Sequence, residues 1–169
     1  MITYKPIGIF ETEFNKKSGA PRQGKLLENA RGVIVLNEEF KDALDYLSSF
    51  EYIWVLFHFD KADSWDNKVN PPDSEHVFGV FATRSPRRPN PLGLSLVKLE
   101  RIIENKLYIN HADAFDGTPV IDIKPYLPSI DTAVSRKNTN AENFLGHHDN
   151  IYMNSLQIEE FIEGKKKNK

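Results

Sequence analysis

Residues 52–59 read YIWVLFHF, an almost wholly apolar run that is rich in aromatic and β-branched side chains. This composition favours a β-strand, and because both alternating faces of the run are apolar, we expect both faces to be covered. One face would fill the interior of a barrel, and the other would lie under a lid or a partner. The run is far shorter than the roughly 20 apolar residues that a membrane-spanning helix needs.

Shorter strand patterns lie on both sides of this run. Most are bounded by turn-forming residues, and we expect strands over residues 4–10, 30–36, 77–83, 107–109 and 120–123. A further strand follows Gly93, where Leu94 and Leu96 alternate in one phase but Val97 and Leu99 alternate in the other. One extra residue in a β-bulge would reconcile the two phases, so we expect a bulge there.

Helical patterns are few. Asn37 can cap a helix whose buried face follows the i, i+3, i+4, i+7 spacing at Phe40, Ala43, Leu44 and Leu47. A second amphipathic helix is indicated at residues 151–162. Many short strands with only one strong internal helix predict a mainly β protein, a small antiparallel β-barrel with one or two peripheral helices.

Composition limits the possible classes of function. The chain has 169 residues, a formal net charge of −2 and no cysteine, which rules out disulfides, thiolate catalysis and cysteine-bound zinc. Its five histidines lack metal-binding spacing, so we expect no metal. No secretory signal pattern opens the chain, and we expect a cytoplasmic protein without membrane contact. Nucleic acid would have to bind local basic clusters, namely Arg84, Arg87 and Arg88, and the lysine-rich residues 165–169.

Residues 79–94, GVFATRSPRRPNPLGL, place three arginines and Asn90 on a loop that three prolines hold in shape. A stiff loop presents its side chains at low entropic cost, and the arginine fork suits carboxylates, phosphates or the face of a base. An irregular surface connection with solvated arginines explains the same residues equally well. The glycine-rich arrays that cradle nucleotides in α/β proteins are missing from the sequence, which argues against a Rossmann-type methyltransferase.

Three smaller features have simple structural explanations. Residues 113–118, DAFDGT, can accept hydrogen bonds from ribose hydroxyls or an amino group, although an Asx-type turn between strands is the more common reason for such a pattern. The tripeptide PRQ at residues 21–23 is by itself no more than part of a loop. Ser95 lacks the second glycine of a nucleophile elbow, so we interpret it as a strand residue.

Taken together and in this order, three motifs resemble the TsaA-like, or TrmO, family of tRNA methyltransferases. They are PRQ at residues 21–23, GVFATRSPRRPNPLGLS at 79–95 and DGTPVIDIKPYLP at 116–128. The resemblance runs from about residue 6 to residue 128. It implies a small antiparallel barrel that binds S-adenosylmethionine without a Rossmann fold, usually as a homodimer, and methylates N6 of threonylcarbamoyladenosine beside the anticodon of a tRNA.

The resemblance also implies which residues act. By motif match, the residues that hold the cofactor are Pro21, Arg22, Gln23, Asp60, Lys61, Arg84, Leu94, Asp113, Ala114, Phe115 and Asp116. Arg87 and Arg88 are left to contact RNA. No residue is identified as catalytic, because the methyl group on a sulfonium is already electrophilic and alignment with N6 supplies much of the rate. We expect residues 1–130 to form the cofactor-binding barrel and residues 131–169 to form an extension with a helix and a basic tail.

The chain departs from the family pattern at several points. Many members carry histidine where this chain has Asp60 and an aromatic residue where it has Arg87, and longer members have a further C-terminal domain. Two other functions therefore stay open. One is a methyltransferase of the same fold with a different substrate, and the other is a non-catalytic module that binds S-adenosylmethionine.

Overall fold

The computed structural model describes residues 2–21, 23–27, 29–71 and 74–144. Six of its strands close into an antiparallel barrel. These strands are β1 (Gly8–Thr12), β2 (Gly32–Leu36), β3 (Tyr52–His58), β6 (Leu92–Ile103), β7 (Lys106–Asn110) and β8 (Pro119–Pro125). Their order around the barrel is β1-β2-β7-β6-β3-β8. The mainly β antiparallel barrel that the sequence predicts is confirmed.

The other elements lie outside the barrel wall. Strands β4 (Lys68–Val69) and β5 (Phe78–Gly79) pair with each other in a separate small sheet. Short 3-10 helices cover Gly24–Leu26, Glu38–Leu44, Leu47–Ser49 and Val80–Ala82, and the α-helices are α1 (Pro128–Asp131) and α2 (Arg136–Phe144). Within the described residues, no helix has the length and apolarity needed to cross a membrane.

Strand β3 supplies much of the barrel interior. Ile53, Val55 and Phe57 are buried, whereas the alternating residues on the outward face are only half-buried. Phe57 packs edge-on against Phe10 of β1, with ring centroids 5.5 Å apart. The apolar run therefore fills the barrel as predicted, but its outer face is covered only in part.

Strand β6 corrects the predicted phase. Its buried residues form one unbroken alternation, Gly93, Ser95, Val97 and Leu99, so Leu94 points outward. The irregularity lies later, between Leu99 and Arg101 in the pairing with β7. The prediction of a bulge before Val97 was wrong because it counted only large apolar residues as inward-facing. A Cβ at position 93 would lie 2.2 Å from ring atoms of Phe57, so the ring fills the space beside a required glycine.

The predicted helix after Asn37 is instead two 3-10 helices, Glu38–Leu44 and Leu47–Ser49. Tyr46 separates them with a left-handed φ of 63°, which an α-helix cannot accommodate. The Asn37 side chain does not cap the helix. Its Nδ2 donates instead to the Pro6 carbonyl oxygen at 3.2 Å. Of the predicted apolar face, the side chains that pack on the core are Phe40, Leu44 and Leu47, while Ala43 is exposed.

Other boundaries shift less. The first strand begins later than predicted and runs to Thr12, and the predicted strand at 77–83 is a two-residue strand followed by a 3-10 helix. That strand ends at Gly79 because the 3-10 helix begins at Val80, whose carbonyl oxygen accepts the Thr83 amide at 3.1 Å. The predicted helix at 151–162 and the lysine-rich end lie outside the described residues.

Candidate functional site

A pocket of about 830 Å³ lies beside the first half of β6. Strand β7 pairs with β6 only from Lys98 onward, so along residues 92–97 the described part of the chain provides a strand partner, β3, on one edge alone. The pocket walls come from residues 20–21 with Gln23, from the segments 57–62 and 81–95, and from 113–115 with Thr118. A volume of this size is typical of sites that hold a small molecule or a cofactor, roughly 300–1,000 Å³.

The open edge of β6 presents main-chain groups to this pocket. The Phe59 amide donates to the Pro91 carbonyl oxygen at 2.7 Å, and the Leu99 amide donates to the Glu51 carbonyl oxygen at 2.8 Å. In the uninterrupted register between these bonds, odd-numbered residues of β6 therefore bond to β3. Leu94 is even-numbered, so its N–H and C=O point away from β3 toward the unpaired edge.

Asp113 supplies a partly buried carboxylate next to Ser95 of β6. Ser95 Oγ donates to Asp113 Oδ1 at 2.5 Å, and the Gly24 amide donates to Asp113 Oδ2 at 3.2 Å. Burial raises the pKa of Asp113 above its ordinary value, while these hydrogen bonds and the charge of Arg84 act in the opposite direction. A Cβ at Gly24 would lie 1.5 Å from the His111 carbonyl oxygen, so only glycine brings this amide within reach. The carboxylate is thus held in a fixed orientation.

Arg84 joins two of the sequence motifs. Its Nη1 donates to Gln23 Oε1, which ties the proline-rich loop to the segment at residues 21–23. The loop itself is held at Thr83, whose Oγ1 donates to the Val80 carbonyl oxygen at 2.9 Å. Arg88 Nη1 donates to the Thr83 carbonyl oxygen at 3.3 Å. The arginines therefore stand on an ordered loop rather than on a loose surface connection.

Lys61 and Asp116 meet at the turn after Phe115. Lys61 Nζ donates to the Asp116 carbonyl oxygen at 2.6 Å and lies 5.7 Å from the centroid of the Phe115 ring. The Asp116 carboxylate faces away and accepts the Thr12 amide at 3.2 Å. Asp116 borders a separate cavity of about 1030 Å³ on the outer side of β1 and β2, where the charged side chains have both signs.

The structure brings most of the predicted cofactor-binding residues together. Those that line the 830 Å³ pocket are Pro21, Gln23, Asp60, Lys61, Arg84, Leu94, Asp113, Ala114 and Phe115. Arg87 and Arg88 line it as well. Asp116 lines the other cavity, and Arg22 lies outside the described residues.

Sequence reasoning missed several lining residues. Ser95 was interpreted only as a strand residue, yet it is buried and bonds to Asp113. A polar residue in the inward phase of a barrel strand was the signal that could have found it. Two aromatic residues of the pocket, Phe57 and Phe59, pack edge-on with centroids 5.0 Å apart, and a third, Phe81, lies exposed at the rim.

These groups define what the pocket can hold. A guanidinium suits a carboxylate ligand, a fixed carboxylate accepts hydrogen bonds from hydroxyls, and an unpaired strand edge matches the donor and acceptor edge of a base. The apolar floor of Phe57 and Phe59 suits an aromatic ring system. Among the described residues, no cluster of three or more histidines and acidic residues is arranged to hold a metal ion.

Fold and site together define a small closed barrel whose ligand pocket is built on a strand edge instead of a glycine-rich loop. The chain belongs to the tRNA-methyltransferase O N-terminal domain family, whose family model matches residues 9–132.

Individual relatives agree with this membership. The chain is 42% identical over 127 residues to an S-adenosyl-L-methionine-binding protein of Archaeoglobus fulgidus, covering 75% of this chain and 91% of that protein. It is 39% identical over 135 residues to the tRNA (adenine(37)-N6)-methyltransferase of Escherichia coli K12, covering 74% of this chain but 57% of that enzyme. The crystal structure of TrmO from Pseudomonas aeruginosa superposes with a TM-score of 0.68 at 36% identity, covering 82% of this chain and 62% of that one. The chain thus spans little more than half of the bacterial enzymes.

Proposed function

We propose that the pocket binds S-adenosylmethionine and that the protein uses it to methylate N6 of threonylcarbamoyladenosine next to the anticodon of a tRNA. One observation carries the proposal. Segments that lie far apart in sequence meet at a single pocket: the motif at residues 79–95 supplies the guanidinium of Arg84 and the strand edge at Leu94, Asp113 supplies the carboxylate, and Gln23 bonds to Arg84. The relatives named as an S-adenosyl-L-methionine-binding protein and as a tRNA (adenine(37)-N6)-methyltransferase support the cofactor and the reaction.

The chemistry of the pocket fits this cofactor. Arg84 would bind the methionine carboxylate, Asp113 would accept the ribose hydroxyls, and the main chain of Leu94 would bond to the adenine edge. The remaining cofactor contacts that we propose are Pro21, Arg22, Gln23, Asp60, Lys61, Ala114 and Phe115. Asp116 would act through its main chain, which holds Lys61 Nζ at 2.6 Å. When bound, S-adenosylmethionine supplies an electrophilic methyl group on a positively charged sulfur.

The protein's own part in the reaction is binding, orientation and the exclusion of water. Phe57 and Phe59 form an apolar floor, which keeps solvent from the lower part of the pocket. Holding the acceptor nitrogen in line with the methyl group replaces an encounter in solution by a fixed geometry. We assign no general base, because the carbamoyl group acidifies the N6 proton of the acceptor and a modest acceptor suffices.

We propose that Arg87 and Arg88 contact RNA phosphates at the rim of the pocket. Replacing Arg88 by alanine should reduce the slope of log affinity against log salt concentration by about 1, because one phosphate contact is lost. Filter binding to tRNA at four or five salt concentrations measures the slope. Equal slopes for the variant and the parent would remove Arg88 from the phosphate contacts.

Assembly and location follow from the same proposal. We propose a cytoplasmic homodimer in which residues 1–130 form the barrel unit and 131–169 an extension. The outward face of β6 and β3 carries Leu94 and Leu96 opposite Leu56 and Trp54, an apolar surface suited to a second copy. Sedimentation equilibrium tests the dimer: Leu96→Glu should yield monomers, and a dimer that survives this change would contradict the use of this face.

Nucleoside mass spectrometry tests the main proposal. A strain that lacks the gene should lose the N6-methylated form of threonylcarbamoyladenosine and accumulate the unmethylated form. The parent gene and Arg101→Ala, a change at a residue that lines the other cavity and not this pocket, should restore methylation, and Arg84→Ala should not. Unchanged methylation in the deletion strain would refute the proposed function.

A second function has a specific observation in its favour. The matched region covers 91% of the archaeal S-adenosyl-L-methionine-binding protein but 57% of the E. coli methyltransferase. This difference suits a module that binds the cofactor without acting on tRNA, or an enzyme with another substrate. Calorimetry with S-adenosylmethionine, together with transfer of labelled methyl to tRNA or to cell metabolites, distinguishes these alternatives. Label that appears only in a small molecule favours a different substrate, and binding without any transfer favours the module.

A further inference from the structure

Phe81 stands out from its neighbours at the rim of the pocket. It lies in the middle of the 3-10 helix Val80–Ala82, where Val80 is 2% exposed and Phe81 is 79% exposed. The Val80 amide donates to the Asn67 carbonyl oxygen at 2.9 Å, and the Thr83 amide donates to the Val80 carbonyl oxygen at 3.1 Å. The short helix is therefore fastened through Val80, and this fastening fixes the direction in which the Phe81 ring is presented.

The exposure of the Phe81 ring indicates where its contact partner lies. Phe57, which also lines the pocket, is 2% exposed, so a ligand seated on the pocket floor contacts a ring that is already enclosed. Among the described residues, no other aromatic ring stacks on Phe81 and no cation lies over its face. A large apolar ring left in water at a pocket mouth is typical of a contact surface. A group that covers Phe81 therefore lies at the mouth of the pocket, away from the enclosed Phe57 ring.

Charge identifies the chemistry of that group. Arg84, Arg87 and Arg88 follow Phe81 on the same wall of the pocket. Exposed aromatic rings beside arginines are the combination that binds single-stranded RNA, because bases stack on the ring while guanidinium groups hold the phosphates. An apolar protein partner would not account for Arg87 and Arg88, which line the same pocket and are not assigned to the cofactor.

We propose that Phe81 is the stacking platform for an unpaired nucleobase of the RNA whose phosphates the adjacent arginines bind. This inference rests on the proposed function and goes beyond it, because it assigns a base contact that does not depend on sequence. Every base has a π-face, so the platform accepts any base at that position. It seats the single-stranded segment over the pocket mouth and leaves the pocket itself to the cofactor and the reacting base.

Three variants of the full chain test the platform, with Tyr4→Ala as the control for loss of an exposed aromatic ring. Tyr4 is 63% exposed and lies outside the pocket lining. Phe81→Ala should weaken binding of an anticodon stem-loop RNA about 5- to 150-fold, equivalent to about 1–3 kcal/mol per stacked base. Phe81→Trp should retain binding, and Phe81→Leu, which is apolar but has no π-face, should resemble alanine. Affinity for S-adenosylmethionine, measured by calorimetry, should fall by less than the affinity for RNA, since Phe81 lies at the exposed rim of the cofactor pocket.

Each other result overturns the platform in a distinguishable way. If Phe81→Ala binds RNA like the parent, or if leucine restores binding, the ring does not stack on a base. A matching loss of S-adenosylmethionine affinity would assign the ring to the cofactor, and a shift in sedimentation would assign it to a second copy of the chain. Methyl transfer by the parent tests the proposed function separately. Transfer that persists with unchanged RNA binding in Phe81→Ala refutes the platform alone, whereas a parent that binds no RNA refutes both.

Discussion

Replacing Ser95 by alanine removes a hydrogen bond that orients the Asp113 carboxylate. Ser95 Oγ donates to Asp113 Oδ1 at 2.5 Å, and Ser95 is buried while Asp113 is partly buried at the pocket. A hydrogen bond to a charged group contributes about 1.5–3 kcal/mol to stability. For a domain of this size each kcal/mol lowers the melting temperature by about 2–4 °C, so Ser95→Ala should melt roughly 3–12 °C below the parent.

The loss of stability in Ser95→Ala should depend on pH. Burial raises the pKa of Asp113 in the folded state, so the stability that this group contributes is complete below its ordinary value of 3.8 and is lost as the pH rises through the folded-state pKa. The Ser95 bond lowers that pKa, and removing it therefore raises the pKa further. The difference in unfolding free energy between parent and variant should be largest at neutral pH, where the carboxylate is charged, and should shrink as the pH falls toward 3.8.

Urea unfolding at several pH values between 4 and 8 measures this difference. Ser48→Ala provides the matched control, because Ser48 is exposed. Affinity for S-adenosylmethionine should fall in Ser95→Ala at neutral pH, because Asp113 no longer holds its orientation. A loss of stability that is the same at every pH, or that Ser48→Ala reproduces, would refute the reasoning.

Two further substitutions test the site and its support. Gly93→Ala should lower the unfolding free energy by about 1–3 kcal/mol through overpacking, because its Cβ would lie 2.2 Å from the Phe57 ring. Gly79→Ala is the control, because the nearest atom to a Cβ at that position is 4.0 Å away. If both variants lower the denaturation midpoint by similar amounts, overpacking against Phe57 is not the cause. Arg84→Ala should weaken S-adenosylmethionine binding about 10- to 100-fold by calorimetry, since it removes a charge-assisted contact. Arg101→Ala, whose side chain stacks on Tyr108 at 4.0 Å, should bind like the parent, and unchanged affinity in Arg84→Ala would remove that arginine from the site.

The barrel could be predicted because its strands have a strong apolar pattern. The run at residues 52–59 forms β3 almost at its predicted bounds, and the strands at 30–36 and 107–109 appear close to where they were expected. The phase of β6 could not be predicted in the same way, because Gly93 and Ser95 carry no hydrophobic signal although both face inward. Their inward direction depends on the neighbouring Phe57 ring and on Asp113, which are remote in sequence.

The candidate site shows a similar division. Motif resemblance identified residues in four segments, and most of them line one pocket. It could not predict that the Asp116 carboxylate turns away to the Thr12 amide, because that direction follows from the local turn, in which Gly117 has a φ of 76°. The resemblance also did not identify Ser95, which is buried, or Phe81, which is exposed. The exposure of both side chains depends on the fold and cannot be read from the motif.

The unpaired edge of β6 means that part of the pocket consists of main-chain groups, which most substitutions do not remove. At Leu94 the groups that face the pocket are a main-chain N–H and C=O, which every amino acid except proline supplies equally. Their direction is set by strand register, so a shift of one residue would turn them toward β3 without altering the composition of the strand. An alanine at position 94 would therefore leave this main-chain contact in place, while a proline or a backbone ester at the same position would remove the donor. Part of the ligand specificity of this pocket thus depends on the register of the strands rather than on the identity of a side chain.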